Sequence, residues 1–233
     1  MRVLKNFLNG LKRVSVNIIK TLFLASNVAP AISDVVKNID FSKSNKKLAF
    51  INTPAELYTS DKPWLKEDRD ALERVGFKPF DYTITGKAEK QLRNDLSRAD
   101  FIFVSGGNTF YCLEKAKESG FIPIVQDLVL NQGKVYIGSS AGSLLAAPDI
   151  STAANIDDTS KAPNLEDFKG FNLVDVIVLP HWGSKRFKKL YMETRLEKSY
   201  NSKNKIVLLT DKQYLHVMDD WYQIVEVQKV LAK

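Results

Sequence analysis

"KVYIGSSAGSLLAAP", residues 134–148, decides the fold. Its first third is a short apolar run of strand character, and its last third is made of small and apolar residues suited to a buried helix. Between them stands Gly138-Ser139-Ser140-Ala141-Gly142, a G-x-S-x-G pattern. A strand that turns sharply into a helix leaves no room for side chains beside the apex. Glycine at 138 and 142 and alanine at 141 meet that demand. The apex hydroxyl then stands clear of the sheet, and the free N–H groups and positive dipole end of the new helix face the same spot. The stretch therefore predicts a strand, an elbow and a helix, with Ser140 as a candidate nucleophile. A plain Gly/Ser turn is the alternative for the pentapeptide taken alone.

Outward from the elbow, apolar runs alternate with helical patterns. "TLFLAS" (21–26), "KLAFINTP" (47–54), "FKPFDYTI" (77–84) and "DFIFVSGG" (100–107) read as strands. The segments "APAISDVVKNID" (29–40), "PWLKEDRDALERVG" (63–76), "EKQLRNDLSRA" (89–99), "NTFYCLEKAKESG" (108–120) and "IPIVQDLVLNQG" (122–133) read as helices. In 63–76, proline near the start, early acids and a closing glycine are helix boundaries. The strands are continuous apolar runs, which predicts a mostly parallel, doubly wound α/β sheet with helices on both faces. Further on, 149–170 is polar and loop-like, "DVIVLP" (175–180) and "KIVLLT" (205–210) read as strands, and 185–201 as a basic helix. The alternating runs of 214–227 about Asp219-Asp220 predict a C-terminal hairpin. No linker interrupts this order, so residues 21–233 form one domain.

Bulk composition narrows the classes. The chain has 233 residues, 44% hydrophobic and 26% charged, the profile of a globular protein with a sizeable core. The net charge of +7 is concentrated: Arg2, Lys5, Lys12, Arg13 and Lys20 stand in a leader of 20 residues with no acid. The body is nearly balanced, which speaks against a nucleic-acid-binding surface. Residues 1–20 read as a solvated basic extension rather than an amphipathic helix touching a membrane or partner. Ala29-Pro30-Ala31 imitates a signal-peptidase site, but Asn17 and Lys20 interrupt the apolar run, and cleavage there removes the first strand. No window approaches ~18 uninterrupted apolar residues, so no membrane span is expected. A lone cysteine, Cys112, excludes an internal disulfide and suggests a reducing, cytoplasmic setting. It reads as a packing residue. Two histidines and one cysteine leave little material for a metal site, and none is expected.

Ligands of open parallel sheets gather at the carboxyl ends of the strands. Three such ends carry chemistry here: "VSGGN" (104–108), "GSSAG" (138–142) and "LPHWG" (179–183). A serine hydroxyl needs a base within hydrogen-bond reach. His181 follows a strand and belongs to the same edge as Ser140; His216 lies inside an alternating run and reads as a half-buried strand residue. The base in turn needs a carboxylate to fix its tautomer. Among the acids between Ser140 and His181, Asp158 is favoured, then Asp157, because both fall in the polar loop. Asp149 lies too near the elbow, and Asp175 opens a strand at the wrong edge. Backbone N–H groups of Gly107 and Ala141 are the candidate oxyanion donors. Asn108 caps the helix that follows and is a candidate substrate contact.

In their order and spacing, "FVSGGNTFYCL", "YIGSSAGSLLAAP" and "LVDVIVLPHWG" resemble the peptidase E family of aspartyl dipeptidases, with cyanophycinases as more distant kin. The resemblance spans roughly residues 21 to 228. It implies a fold similar to class I glutamine amidotransferases (flavodoxin-like) with serine in place of their cysteine, Ser140 as nucleophile, His181 as base and the Gly107 and Ala141 amides as oxyanion hole. It implies no cofactor, a short peptide substrate, and a cytoplasmic monomer or homodimer. The triad acid belongs in the loop after the nucleophile helix. Ungapped alignment brings Asn155 there, and a short insertion brings Asp157 or Asp158. Glu193-Thr194-Arg195 matches the family's "Glu-Thr-Arg" segment, which makes Arg195 the partner of a substrate aspartate. Two rivals stand beside this: an α/β-hydrolase esterase, and a catalytically silent member binding an acidic small molecule or a partner.

Overall fold

A computed structural model of the chain describes residues 18–201 and 203–227, with the side chains of Lys43 and Asn155 left undescribed. The basic extension proposed for residues 1–20 therefore lies, up to residue 17, outside the described residues. Seven strands form the main sheet in the order β3-β2-β4-β5-β1-β8-β9. These are β1 (Thr21–Ala25), β2 (Lys47–Ile51), β3 (Lys78–Tyr82), β4 (Phe101–Val104), β5 (Val135–Ser139), β8 (Gln213–Met218) and β9 (Trp221–Glu226). The first five are parallel; β8 runs antiparallel to β1, and β9 antiparallel to β8. Strands β6 (Ile177–Leu179) and β7 (Ile206–Leu208) form a separate parallel pair.

The continuous apolar runs are explained by burial on both faces. In β1, Leu22 and Leu24 enter one core while Phe23 and Ala25 enter the other. In β4, Ile102 and Val104 face the first core, Phe101 and Phe103 the second. Side chains of a strand alternate, so a sheet covered twice has no polar face. Helices α1 (Val28–Val35) and α2 (Pro63–Arg74) cover the second core. Helices α3 (Glu89–Ser97), α4 (Thr109–Glu118), α5 (Phe121–Gln126) and α6 (Ala141–Leu145) cover the first. Cys112 is fully buried there, and burial pushes its thiol pKa up, which keeps it a packing group.

Two long helical readings are modified. The segment 122–133 ends in a wide turn, Asp127–Asn131, after α5. The basic stretch 185–201 is helical only from Lys188, and its middle, Tyr191–Arg195, opens to the same wide winding before Leu196–Ser199 closes it. His216 is more deeply buried than expected, at 4% exposure, and stacks on Phe23 with ring centroids 4.5 Å apart. Among the described residues no helix is long and apolar enough to cross a membrane.

Candidate active site

The elbow has the geometry its glycines predict. Ser140 has φ 51° and ψ −107°, a strained backbone for a residue with a side chain, and its N–H donates to the Ala25 carbonyl at 3.1 Å. A Cβ at Gly142 would fall 2.0 Å from the Val104 carbonyl oxygen, so only glycine lets α6 come this close to β4. Gly107, with φ 144°, sits where a Cβ would meet the Pro54 carbonyl oxygen at 2.0 Å. The first close approach seats α6 on the end of β4, and the second packs the turn after β4 against the turn after β2; the β4–β5 pairing itself brings the two strand ends side by side. As the first residue of α6, Ala141 presents an N–H with no helical acceptor behind it.

The second sheet delivers the histidine. After β6 the chain turns through Pro180, and His181 takes φ 67°. Its N–H donates to the Ser26 hydroxyl at 2.7 Å, which ties it to the carboxyl end of β1. His181 Nε2 lies 2.9 Å from Ser140 Oγ. The imidazole stacks on Phe187, with centroids 5.1 Å apart.

The carboxylate beside the imidazole is Asp211, not Asp158 or Asp157. Its Oδ1 stands 2.6 Å from His181 Nδ1 and accepts the Ser26 hydroxyl at 2.8 Å. A carboxylate only accepts, so Nδ1 carries the proton and Nε2 keeps a lone pair toward Ser140. The hydrogen bond from His181 holds the Asp211 carboxyl below the usual carboxylate range, against the effect of its partial burial. The chain order is thus Ser140, His181, Asp211. Asp211 lies past the histidine in the chain, outside the stretch between Ser140 and His181 in which the acid is expected from sequence. Asp211 follows "KIVLLT", a strand end of the kind that singled out His181. The pairing of β6 with β7 puts the two ends together, continued by Trp182 N–H to the Leu209 carbonyl at 2.9 Å.

The acids favoured from sequence are engaged elsewhere. Asp157 accepts the Thr109 N–H at 2.8 Å at the start of α4; it is half-buried, lines the cleft, and burial raises its pKa. Asp158 is exposed and accepts the Ser160 N–H at 2.9 Å. Asp149 accepts the Ser151 N–H, and Asp175 pairs with Lys205. Asn108 does not line the cleft: its Oδ1 caps α4 through the Tyr111 N–H at 2.8 Å, and its Nδ2 donates to the Asp158 carbonyl at 3.1 Å. Both ends of that side chain are spent on protein.

Arg195 lies behind the cleft wall rather than in it. It is fully buried, with Nη1 donating to the Tyr191 hydroxyl at 2.5 Å and to the Pro180 carbonyl at 3.3 Å. Among the described residues its Nε and Nη2 have no hydrogen-bond partner, and burial pulls its pKa down to about 10. The arginine that lines the cleft is the exposed Arg186, which sequence reasoning did not single out. The cleft itself is about 350 Å³, walled by Tyr58, Trp64, Gly106, Gly107 and Phe187 around Ser140 and His181. Among the described residues no group of three His, Cys, Asp or Glu is gathered as a metal site.

Residues 22–225 match the model of a family described as Peptidase family S51. An uncharacterized peptidase of Listeria monocytogenes is 30% identical over 201 residues, covering 85% of this chain and 94% of that one. A Drosophila melanogaster protein named "Probable alpha-aspartyl dipeptidase" is 32% identical over 144 residues, 61% of this chain and 56% of that one. The crystal structure of a Listeria monocytogenes protein assigned to peptidase E superposes with a TM-score of 0.81 at 26% identity, over 90% of this chain and all of that one.

Proposed function

The chain belongs to peptidase family S51 and is a serine-type peptidase, and from that premise we propose that Ser140, His181 and Asp211 hydrolyse the first peptide bond of short peptides. The observation that carries this is the unbroken line of contacts, 2.9 Å from Ser140 to His181 and 2.6 Å from His181 to Asp211.

In the proposed reaction His181 Nε2 takes the proton from Ser140 as its oxygen attacks the carbonyl carbon. The oxyanion is met by the N–H groups of Gly107 and Ala141. Asp211 keeps the imidazole in the productive tautomer and stabilises its positive form. His181 then protonates the leaving amine and later activates water, which frees the acyl group from Ser140. The arrangement is read as class I glutamine amidotransferase-like, with serine at the elbow where those enzymes use cysteine. The single buried thiol, Cys112, fits work in the cytoplasm.

A preference for N-terminal aspartate is the finer part of the proposal. It is supported by the match to an aspartyl dipeptidase and by the two unpartnered guanidinium nitrogens of Arg195 behind Pro180. A buried donor without an acceptor is costly, and a substrate carboxylate would supply the acceptor where the segment at Pro180 shifts to admit it. The esterase rival has no such use for a second cation near the cleft. The silent-member rival depended on His181 lacking a carboxylate, and Asp211 argues against it.

The test is direct. A fluorophosphonate should label the protein at Ser140, and Ser140→Ala should abolish labelling. A panel of dipeptides differing in the first residue should then show Asp-X turned over best. Absence of labelling sinks the mechanism; labelling with no preference for Asp-X sinks only the role of Arg195.

A further inference from the structure

Of the two cleft carboxylates that the proposed mechanism does not use, Asp157 feels the charge of Arg195, whereas Asp68 has no cation beside it among the described residues. It sits on α2, is 3% exposed, and lines the cleft. Its Oδ1 accepts the Ala29 N–H at 3.2 Å, and the hydroxyl of Ser139, the residue before the nucleophile, works against the rise in its pKa that burial causes. Among the described residues no lysine or arginine pairs with it, and its charged neighbour is another acid, Glu67. A buried carboxylate so placed is expensive unless something positive comes to it.

The wall around it is shaped for a cation. Trp64 lies one helical turn earlier on α2 and so on the same face. The Tyr58 ring packs edge-on against Trp64, with centroids 5.3 Å apart. Both rings line the cleft. A Cβ placed on Gly106 would lie 3.4 Å from Ser140 Cβ and 3.9 Å from Trp64 Cδ1, so the indole and the nucleophile flank the same glycine. An acceptor backed by aromatic faces favours an ammonium.

The reaction supplies one at that distance. In an N-terminal residue the α-nitrogen is two bonds from the carbonyl carbon, about 2.5 Å away by standard backbone dimensions. Whatever peptide presents its first carbonyl to Ser140 must rest its α-amino group close beside the elbow. His181 occupies the leaving-group side, and the Gly107 and Ala141 amides face the carbonyl oxygen.

We propose that Asp68, with Trp64 and Tyr58, forms the subsite for the free α-ammonium of the substrate and so makes the enzyme an exopeptidase. This rests on Ser140 acting at the first peptide bond. Burial pushes the Asp68 carboxyl up to about 7, in keeping with a charge awaiting its partner.

The experiment is calorimetric titration of the Ser140→Ala protein with aspartyl-alanine and with N-acetyl-aspartyl-alanine. The free peptide should bind about 30-fold more tightly, the size of a charge-assisted contact. Asp68→Asn in that background should erase the difference, whereas Asp157→Asn, at the other acid of the cleft, should keep it. Trp64→Leu, at a partly exposed position, should narrow the difference and covers the case in which the Asp68 variant does not fold. Equal affinity for the two peptides, failure of both to bind, or a difference that survives Asp68→Asn would overturn the subsite. Turnover by the unmutated enzyme separates the two proposals. Equal hydrolysis of free and acetylated peptides sinks the subsite and spares the triad; selective binding of the free peptide without hydrolysis does the reverse.

Discussion

Asp211 Oδ1 lies 2.6 Å from His181 Nδ1, although the two residues come from the ends of different strands, β7 and β6. Those strands form a small sheet of their own, whose pairing brings the imidazole and the carboxylate together. The pair is joined to the main sheet through Ser26, which accepts from the His181 N–H and donates to Asp211.

Asp211→Asn should lower kcat by roughly 10³- to 10⁴-fold, the usual scale for replacing the orienting carboxylate of such a triad. The amide can present an N–H to Nδ1, which favours the wrong tautomer. KM for an Asp-X dipeptide should change little. Asp158→Asn, at an exposed loop position, should shift stability by less than about 0.5 kcal/mol. Steady-state kinetics on the two variants decides between them. A large loss for Asp158 with none for Asp211 would restore the order expected from sequence.

What the sequence disclosed follows from what is local. The elbow was legible because the steric need for Gly138 and Gly142 falls within five residues. His181 was legible because it follows an apolar run at a strand end. Asp211 was not, because the pairing of β6 with β7 is a long-range contact, and no local pattern says which loop acid meets the ring. Arg195 illustrates the opposite case. Its motif is local, but the wide turn at Tyr191–Arg195 and the hydroxyl of Tyr191 turn the guanidinium into the wall behind Pro180.

Ser26→Ala should act through positioning. The variant loses one hydrogen bond to Asp211 and one from the His181 backbone, each worth about 1 kcal/mol. We expect kcat to fall about 10-fold with KM nearly constant, the split expected when an interaction matters only at the transition state. Because the hydrogen bond from His181 and, in smaller part, the Ser26 hydroxyl hold the Asp211 carboxyl low, Asp211 should titrate at higher pH in the variant, read by NMR of the labelled carboxyl carbon. A loss of kcat with an unmoved Asp211 titration would assign Ser26 a packing role only.

Gly142→Ala and Gly183→Ala separate close approach from backbone strain. At 142 the new Cβ would meet the Val104 carbonyl oxygen at 2.0 Å, so α6 must retreat from β4 and carry the elbow with it. We expect at least about 3 kcal/mol of destabilisation, in the range of severe overpacking, and loss of fluorophosphonate labelling. At 183 nothing among the described residues lies within 4 Å, and only the positive φ of 74° is penalised, at about 1–2 kcal/mol. Urea denaturation of both variants reads the difference; equal losses would mean that the sheet accommodates the methyl group at 142.

Asp68 should leave its mark on stability as a function of pH. Its folded carboxyl is raised to about 7, chiefly by burial, while the unfolded group titrates near the ordinary carboxylate value. Between those two points the folded protein holds more protons than the unfolded chain, so stability falls as pH rises through the window. At roughly 1.4 kcal/mol per unit the loss reaches at most about 4 kcal/mol above pH 7. Asp68→Asn keeps an acceptor for the Ala29 N–H but has no charge to desolvate. Its melting temperature should therefore exceed that of the unmutated protein at pH 8 and converge with it near pH 4. A constant offset at both pH values would show that the carboxylate is not paying a burial cost, and would leave the ammonium no penalty to relieve.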